Sequence, residues 1–109
     1  MRYKRFMSNQ NAGYIKPDEV VSPKGRFKKV DILYDGGEGD WALAIGFWDD
    51  SPTLFLRFNG TAQRPLGQPS SRGYPSFMVM PDPLWAGALE YDQIEPSKRA
   101  RAKALLGID

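Results

Sequence analysis

Trp41-Ala42-Leu43-Ala44-Ile45-Gly46-Phe47-Trp48 is the stretch on which the fold turns. Successive side chains of a strand point to opposite faces. Trp41, Leu43, Ile45 and Phe47 therefore make one bulky face, and Ala42, Ala44 and Gly46 make a small one, until Trp48. Asp35-Gly36-Gly37-Glu38-Gly39-Asp40 precedes it, a turn with three glycines available for positive φ. Asp49-Asp50-Ser51-Pro52 follows as a second turn. Upstream, Lys29–Tyr34 alternates with Val30, Ile32 and Tyr34 on one face. Downstream, Thr53–Phe58 groups Leu54, Leu56 and Phe58, with Phe55 and Arg57 opposite. Links this short predict an antiparallel meander.

Outward from the meander, the chain from Asn59-Gly60 to about Ser76 shows little periodicity. Connections longer than about 12–15 residues are uncommon in compact domains and are more often functional or mobile. Phe77–Met80 reads as a fourth short strand. Asp82-Pro83 reads as a helix start, with Asp as cap and Pro at the first position. Leu84, Trp85, Ala88, Leu89 and Tyr91 then recur at helical spacing, and a second helix runs from Pro96 or Ser97 to Leu106, stopping at Gly107. The expected fold class is α+β, an antiparallel sheet of four or more strands with C-terminal helices packed on one face. The 109 residues are read as one domain: a basic, largely irregular segment over 1–26, the sheet and first helix over 27–92, and a basic C-terminal helix over 93–109. The small face of the central strand most simply receives the helix carrying Ala86, Gly87 and Ala88, and unfilled it is a ligand hollow.

Composition narrows the chemistry. The sequence has no cysteine and no histidine. That excludes disulfides and thiolate nucleophiles, and it removes the commonest general base and transition-metal ligand together. No apolar run approaches the roughly 18–20 residues of a membrane span, and the basic start is not followed by a signal-peptide core. A cytoplasmic protein with no membrane partner is the expectation. Net charge is +2, unevenly spread. Both ends are basic, and Val30 to Asp50 is acidic. Either the ends pack beside the acidic turns of their own fold or of a second subunit, or they form a phosphate-binding surface.

The stretch Ser51 to Pro81 carries Arg57, Arg64 and Arg72 and no acid or lysine. Arginine grips carboxylates and phosphates in a planar, bidentate way. Arg64 and Arg72 flank Pro65–Ser71, where Gln68 and Ser71 add amide and hydroxyl donors, so this loop is a candidate anion site. The competing reading has each arginine pinned to an acid elsewhere, with Arg57 reaching Asp31 or Asp49 across the sheet. Trp41, Phe47 and Phe55 are either core or a stacking platform for bases. Lys98, Arg99, Arg101 and Lys103 spread around the last helix as a solvated face. The acids of the two turns sit at opposite ends of a strand, about 25 Å apart at about 3.3 Å per residue, and are read as turn chemistry rather than a metal site. The glycines lack the spacing of a phosphate-loop or dinucleotide fingerprint. No catalytic residue, metal or cofactor is assigned.

Trp41–Gly46, with Arg57-Phe58-Asn59-Gly60 and Ser71-Arg72-Gly73-Tyr74-Pro75, resembles short uncharacterised bacterial proteins, including ones carried on mobile gene cassettes. That resemblance implies no activity. Four strands followed by a helix is also similar in outline to the positive-cofactor-four and Whirly class of single-stranded-DNA-binding domains, a likeness of topology that does not fix function. The function expected is a non-catalytic binding module for an anionic ligand, with nucleic acid foremost, through Arg57, Arg64, Gln68, Ser71, Arg72, Trp41 and Phe55. The alternative is a homo-oligomeric small-molecule-binding or protein-interaction domain. A homodimer is expected from the basic aromatic arm at Met1–Met7 and from two apolar sheet faces.

Overall fold

The computed structural model describes residues 13–109. The Met1–Met7 arm lies outside the described residues. Strands β1 (Phe27–Asp35), β2 (Trp41–Trp48) and β3 (Ser51–Phe58) form an antiparallel meander, and the two-residue β6 (Met78–Val79) adds to the far side of β3. The sheet order is β1-β2-β3-β6. Between β3 and β6 the chain folds a separate hairpin, β4 (Ser70–Ser71) with β5 (Tyr74–Pro75). A 3-10 turn at Asp82–Leu84 runs into the short helix α1 (Trp85–Leu89), and α2 (Pro96–Leu106) ends the fold. The expected α+β architecture is what forms. Asp82 opens the helical turn but no side chain caps it. At the other end Gly107, at φ 75°, closes α2. Its N–H donates to Ala104 O, and that of Ile108 donates to Lys103 O at 2.8 Å, the paired bonds of a Schellman cap. No helix among the described residues is long and apolar enough to cross a membrane.

Each face of the sheet carries its own core. On the bulky face Leu33, Leu43, Ile45 and Leu54 meet Leu89, Ile94 and Ala102 from the helical region. On the small face Ala44 and Phe55 meet Ile15, Val20, Phe27 and Phe77. This overturns the expectation that Ala86, Gly87 and Ala88 approach Ala42, Ala44 and Gly46. Ala86 and Gly87 are exposed. The reason is steric complementarity between neighbours in the sheet. Phe55 stands directly opposite Ala44, and the space over the small residues is filled by rings, Phe27 edge-on to Phe55 at 4.9 Å and Phe77 at 5.5 Å from Phe27. Both faces are thus covered by the chain itself, so uncovered sheet faces no longer argue for a second copy.

β1 departs from simple alternation. Its register slips between Lys29 and Asp31 and again between Ile32 and Tyr34, leaving Val30 and Leu33 as extra residues. Val30 is therefore 56% exposed, Leu33 joins the helix-side core, and Ile32 packs on the small face. Val30, Ile32 and Tyr34 do not share a face. The same slips send Lys29 and Asp31 to opposite sides. Lys29 donates to the carbonyls of Pro17, Asp18 and Val20, tying down the N-terminal segment. Asp31 lies 3.6 Å from Lys98 and 3.7 Å from Arg101 on α2.

Candidate functional site

The long connection after β3 is a built structure. Asn59 opens it. Its backbone N–H donates to Asp40 O at 2.7 Å, and its Nδ2 donates to Asp35 Oδ1 at 2.9 Å and Gly37 O at 2.8 Å. The acids of the 35–40 turn are consumed in the same way. Asp35 Oδ1 also accepts from Gly37 N, Asp40 Oδ1 from Trp41 N and Glu38 Oε2 from Ala62 N. Among the described residues no group of three or more acids could hold a metal ion. Further along, Thr61 and Arg64 exchange backbone hydrogen bonds at 3.1 Å, and Gly67 N donates to Arg64 O. Phe58 and Gln68 exchange backbone bonds of 2.7 and 2.9 Å, folding the loop back onto the end of β3. Ile15 N reaches across to Pro65 O.

Arg57 holds this loop from beneath. It is fully buried, and among the described residues no acid is paired with it. Nη1 donates to Ser76 O and, at 3.5 Å, to Pro69 O, while Nη2 donates to Leu66 O. Its guanidinium carbon lies 5.8 Å from the centre of the Phe77 ring. Burial pushes its pKa down to about 10, so it remains cationic at neutral pH. Asp31 and Asp49, the partners expected for it, are taken by Lys98 and Arg101 and by Arg26. Arg57 therefore positions the loop and does not face a ligand directly. A guanidinium can do this because its fork serves several carbonyls at once.

Above Arg57 lies an open cleft of about 430 Å³. Gly60 and Gly67 line it, where a side chain would collide with backbone. Gly67 separates it from Arg57, since a β-carbon there would sit 2.5 Å from Nη2. Thr61, Arg64, Gln68 and Ser70 also line it, and no acidic side chain does. Arg64 is exposed, and among the described residues its guanidinium has no hydrogen-bond or ion-pair partner. Phe58 lines the cleft and is 48% exposed.

Of the residues singled out in the sequence, Arg64 and Gln68 come together at this cleft. Ser71 and Arg72 lie just beyond it on the β4–β5 hairpin, where Ser71 pairs with Tyr74. Arg72 and Gly73 form the two-residue connection, at φ 54° and 82°. Positive φ at both positions is the habit of hairpin turns that favour Asn or Gly first. An arginine there costs about 1 kcal/mol. Arg72→Gly is therefore expected to raise stability by up to about that amount, seen as a higher urea midpoint. An unchanged midpoint would mean that the left-handed turn carries no strain at Arg72.

Trp41 and Phe55 do not form a platform. They stand on opposite faces of the sheet, Trp41 against Tyr34 and Tyr91 at 4.6 and 5.0 Å, and Phe55 wholly inside the small-face core. The cleft's aromatic is Phe58 instead. Its alternation with Leu54 and Leu56 marks it as core, but it sits at the end of β3 opposite Trp41 and remains half exposed. Ser70 lies within the Pro65–Ser71 stretch that the arginines flank, whereas Asn59 and Thr61 carry no local signal, because nothing in the sequence says that β3 and the loop curl around one hollow.

The basic helix is not a free surface. Lys98 Nζ donates to Ile32 O at 2.7 Å beside Asp31, Arg99 donates to the carbonyls of Leu89, Tyr91 and Ile94, and Lys103 pairs with Glu90 at 2.9 Å, holding that carboxyl below its usual range. Near the other end, Arg26 makes a two-point contact with Asp49 and stacks 4.5 Å over Trp48, while Lys28 lies 3.5 Å from Asp50. The expected solvated face of α2 is in large part a docking face, and among the described residues Arg26, Lys28, Lys98 and Arg101 lie beside Asp49, Asp50 and Asp31 of the same fold. Compared with known proteins, this chain matches no family model, no curated protein and no solved structure.

Proposed function

We propose that this protein is a non-catalytic binding module whose ligand is anionic, with nucleic acid as the ligand class. The observation that carries the reading is the cleft: among the described residues, an Arg64 guanidinium with no partner, a half-exposed Phe58, and no acidic side chain in the lining. Arg64 supplies a planar, bidentate donor for a phosphate. Phe58 supplies a face on which a base can stack. The buried charge of Arg57 behind Gly67 adds positive potential through a poorly screened wall. Ser70 is a hydroxyl without a base to activate it, since the sequence has no histidine and no lysine lines the cleft.

Fluorescence anisotropy of labelled single- and double-stranded oligonucleotides, at low and at moderate salt, tests this. Binding that weakens with salt is expected, because each neutralised phosphate releases counterions. Arg64→Ala is expected to weaken it about tenfold, the size of one charge-assisted hydrogen bond. Absence of binding at low salt would contradict the proposal.

A further inference from the structure

Resting on that reading, we infer that the cleft takes a single unpaired nucleotide, with its base against Phe58 and its phosphate at Arg64. Size is the first argument. A hollow of about 430 Å³ lies toward the small end of the range for small-molecule sites, about 300–1,000 Å³. Charge is the second. Among the described residues one guanidinium without a partner, that of Arg64, belongs to the lining, and Gly39 in its wall is flanked by Glu38 and Asp40. That balance suits one phosphate and opposes a run of them.

The third argument is the ring. Phe58 lies in the lining half exposed, and its two backbone bonds to Gln68 hold its stretch of chain beside the loop. Bases stacked inside a duplex cannot reach a ring that lines a hollow, so the base must come from a single strand, a strand end or a free nucleotide. The fourth is Asn59. It lines the cleft at 5% exposure, both protons of its amide are donated to Asp35 and Gly37, and its Oδ1 has no partner. The remaining capacity of that side chain is to accept a hydrogen bond. That oxygen is itself enclosed by protein, so a base edge or sugar hydroxyl reaches it only where the cleft wall gives way locally, and a fully ionised phosphate carries no donor for it. Thr61, Gln68 and Ser70 supply neutral polar contacts around the same hollow.

The test is competition against a labelled single-stranded oligonucleotide, using adenosine 5′-monophosphate, adenosine and inorganic phosphate as separate competitors on the full chain. The monophosphate should displace the oligonucleotide, and either half alone should be at least about tenfold weaker. Phe58→Ala should weaken oligonucleotide binding about tenfold, in line with loss of one base stack. Phe58→Tyr should retain it. The salt dependence should correspond to one or two phosphates, at about 0.7 per phosphate for single strands. Oligonucleotide binding that is indifferent to the monophosphate and to Phe58→Ala would overturn the single-nucleotide assignment while leaving the proposed function standing. Competition by inorganic phosphate equal to that by the monophosphate would overturn the base contact. Where Phe58→Ala does not fold, competition on the unaltered protein decides alone. Failure of every oligonucleotide to bind is the separate result that removes the underlying reading.

Discussion

Arg57→Met is expected to cost about 2–4 kcal/mol of folding stability, read as a lower urea midpoint with an unchanged slope. Two effects oppose each other. The substitution removes a charge that is expensive to desolvate, which by itself favours the variant. It also leaves the carbonyls of Leu66 and Ser76 without the donor that Arg57 gives them in a buried place, while that of Pro69 keeps the N–H of Ser76 at 3.0 Å. Each orphaned group costs about 1–3 kcal/mol, so the two together outweigh the relief. Arg57→Lys keeps a charge but loses the fork, and an ammonium on a shorter reach cannot serve three carbonyls on separate turns of chain. It should be intermediate. The loss should concentrate in the 59–76 connection, so amide exchange there should quicken before that of β2. A methionine variant as stable as the parent would mean that the loop does not depend on Arg57.

Gly67→Ala is the second large effect. The residue adopts φ +64°, and a β-carbon there would press well inside contact distance of Phe58 O while lying 2.5 Å from Arg57 Nη2 and 2.7 Å from Gly60 N. The first and last of these are backbone atoms that a side-chain rotation cannot move. The left-handed conformation costs about 1 kcal/mol for alanine, and displacing the Phe58–Gln68 bridge adds about 1–3 kcal/mol. Gly73→Ala is the internal control. Gly73 has a similar φ of +82° but open space around its missing β-carbon, so only the conformational part should be lost. Equal melting temperatures for the two variants would mean that the close approach at Gly67 carries no energy.

The contrast between these two glycines shows where the sequence is legible. Trp41–Trp48 states its strand in its own alternation, and Gly107 after Leu106 states a helix end, because both rest on neighbours in the chain. The two slips of β1 are invisible in Lys29–Tyr34, whose alternation looks regular. The first of them sets Lys29 toward the 17–20 carbonyls and Asp31 toward α2 on the other side. Which face of β2 the helices would cover was likewise unreadable. Small residues mark a close approach but do not say whether a helix or a ring from the next strand makes it, and Phe55 fills that space.

The site divides in the same manner. Arg64 and Gln68 stand out because acids are missing around them, a property of composition that survives folding. Arg57 looks like its neighbours in sequence but alternates into the interior, where the loop supplies its partners from residues nine to nineteen positions away. Phe58 looks like core because it continues the face of Leu54 and Leu56, and only the end of the sheet leaves it half exposed.

The most direct measurement is the change in backbone amide shifts when a short single-stranded oligonucleotide is added to the isotope-labelled chain. The proposed function predicts shifts concentrated at Gly39, at 58–64 and at 67–70, with α2 unmoved. Shifts centred on α2 or on the Lys24–Lys29 region, or no shifts at all, would contradict it.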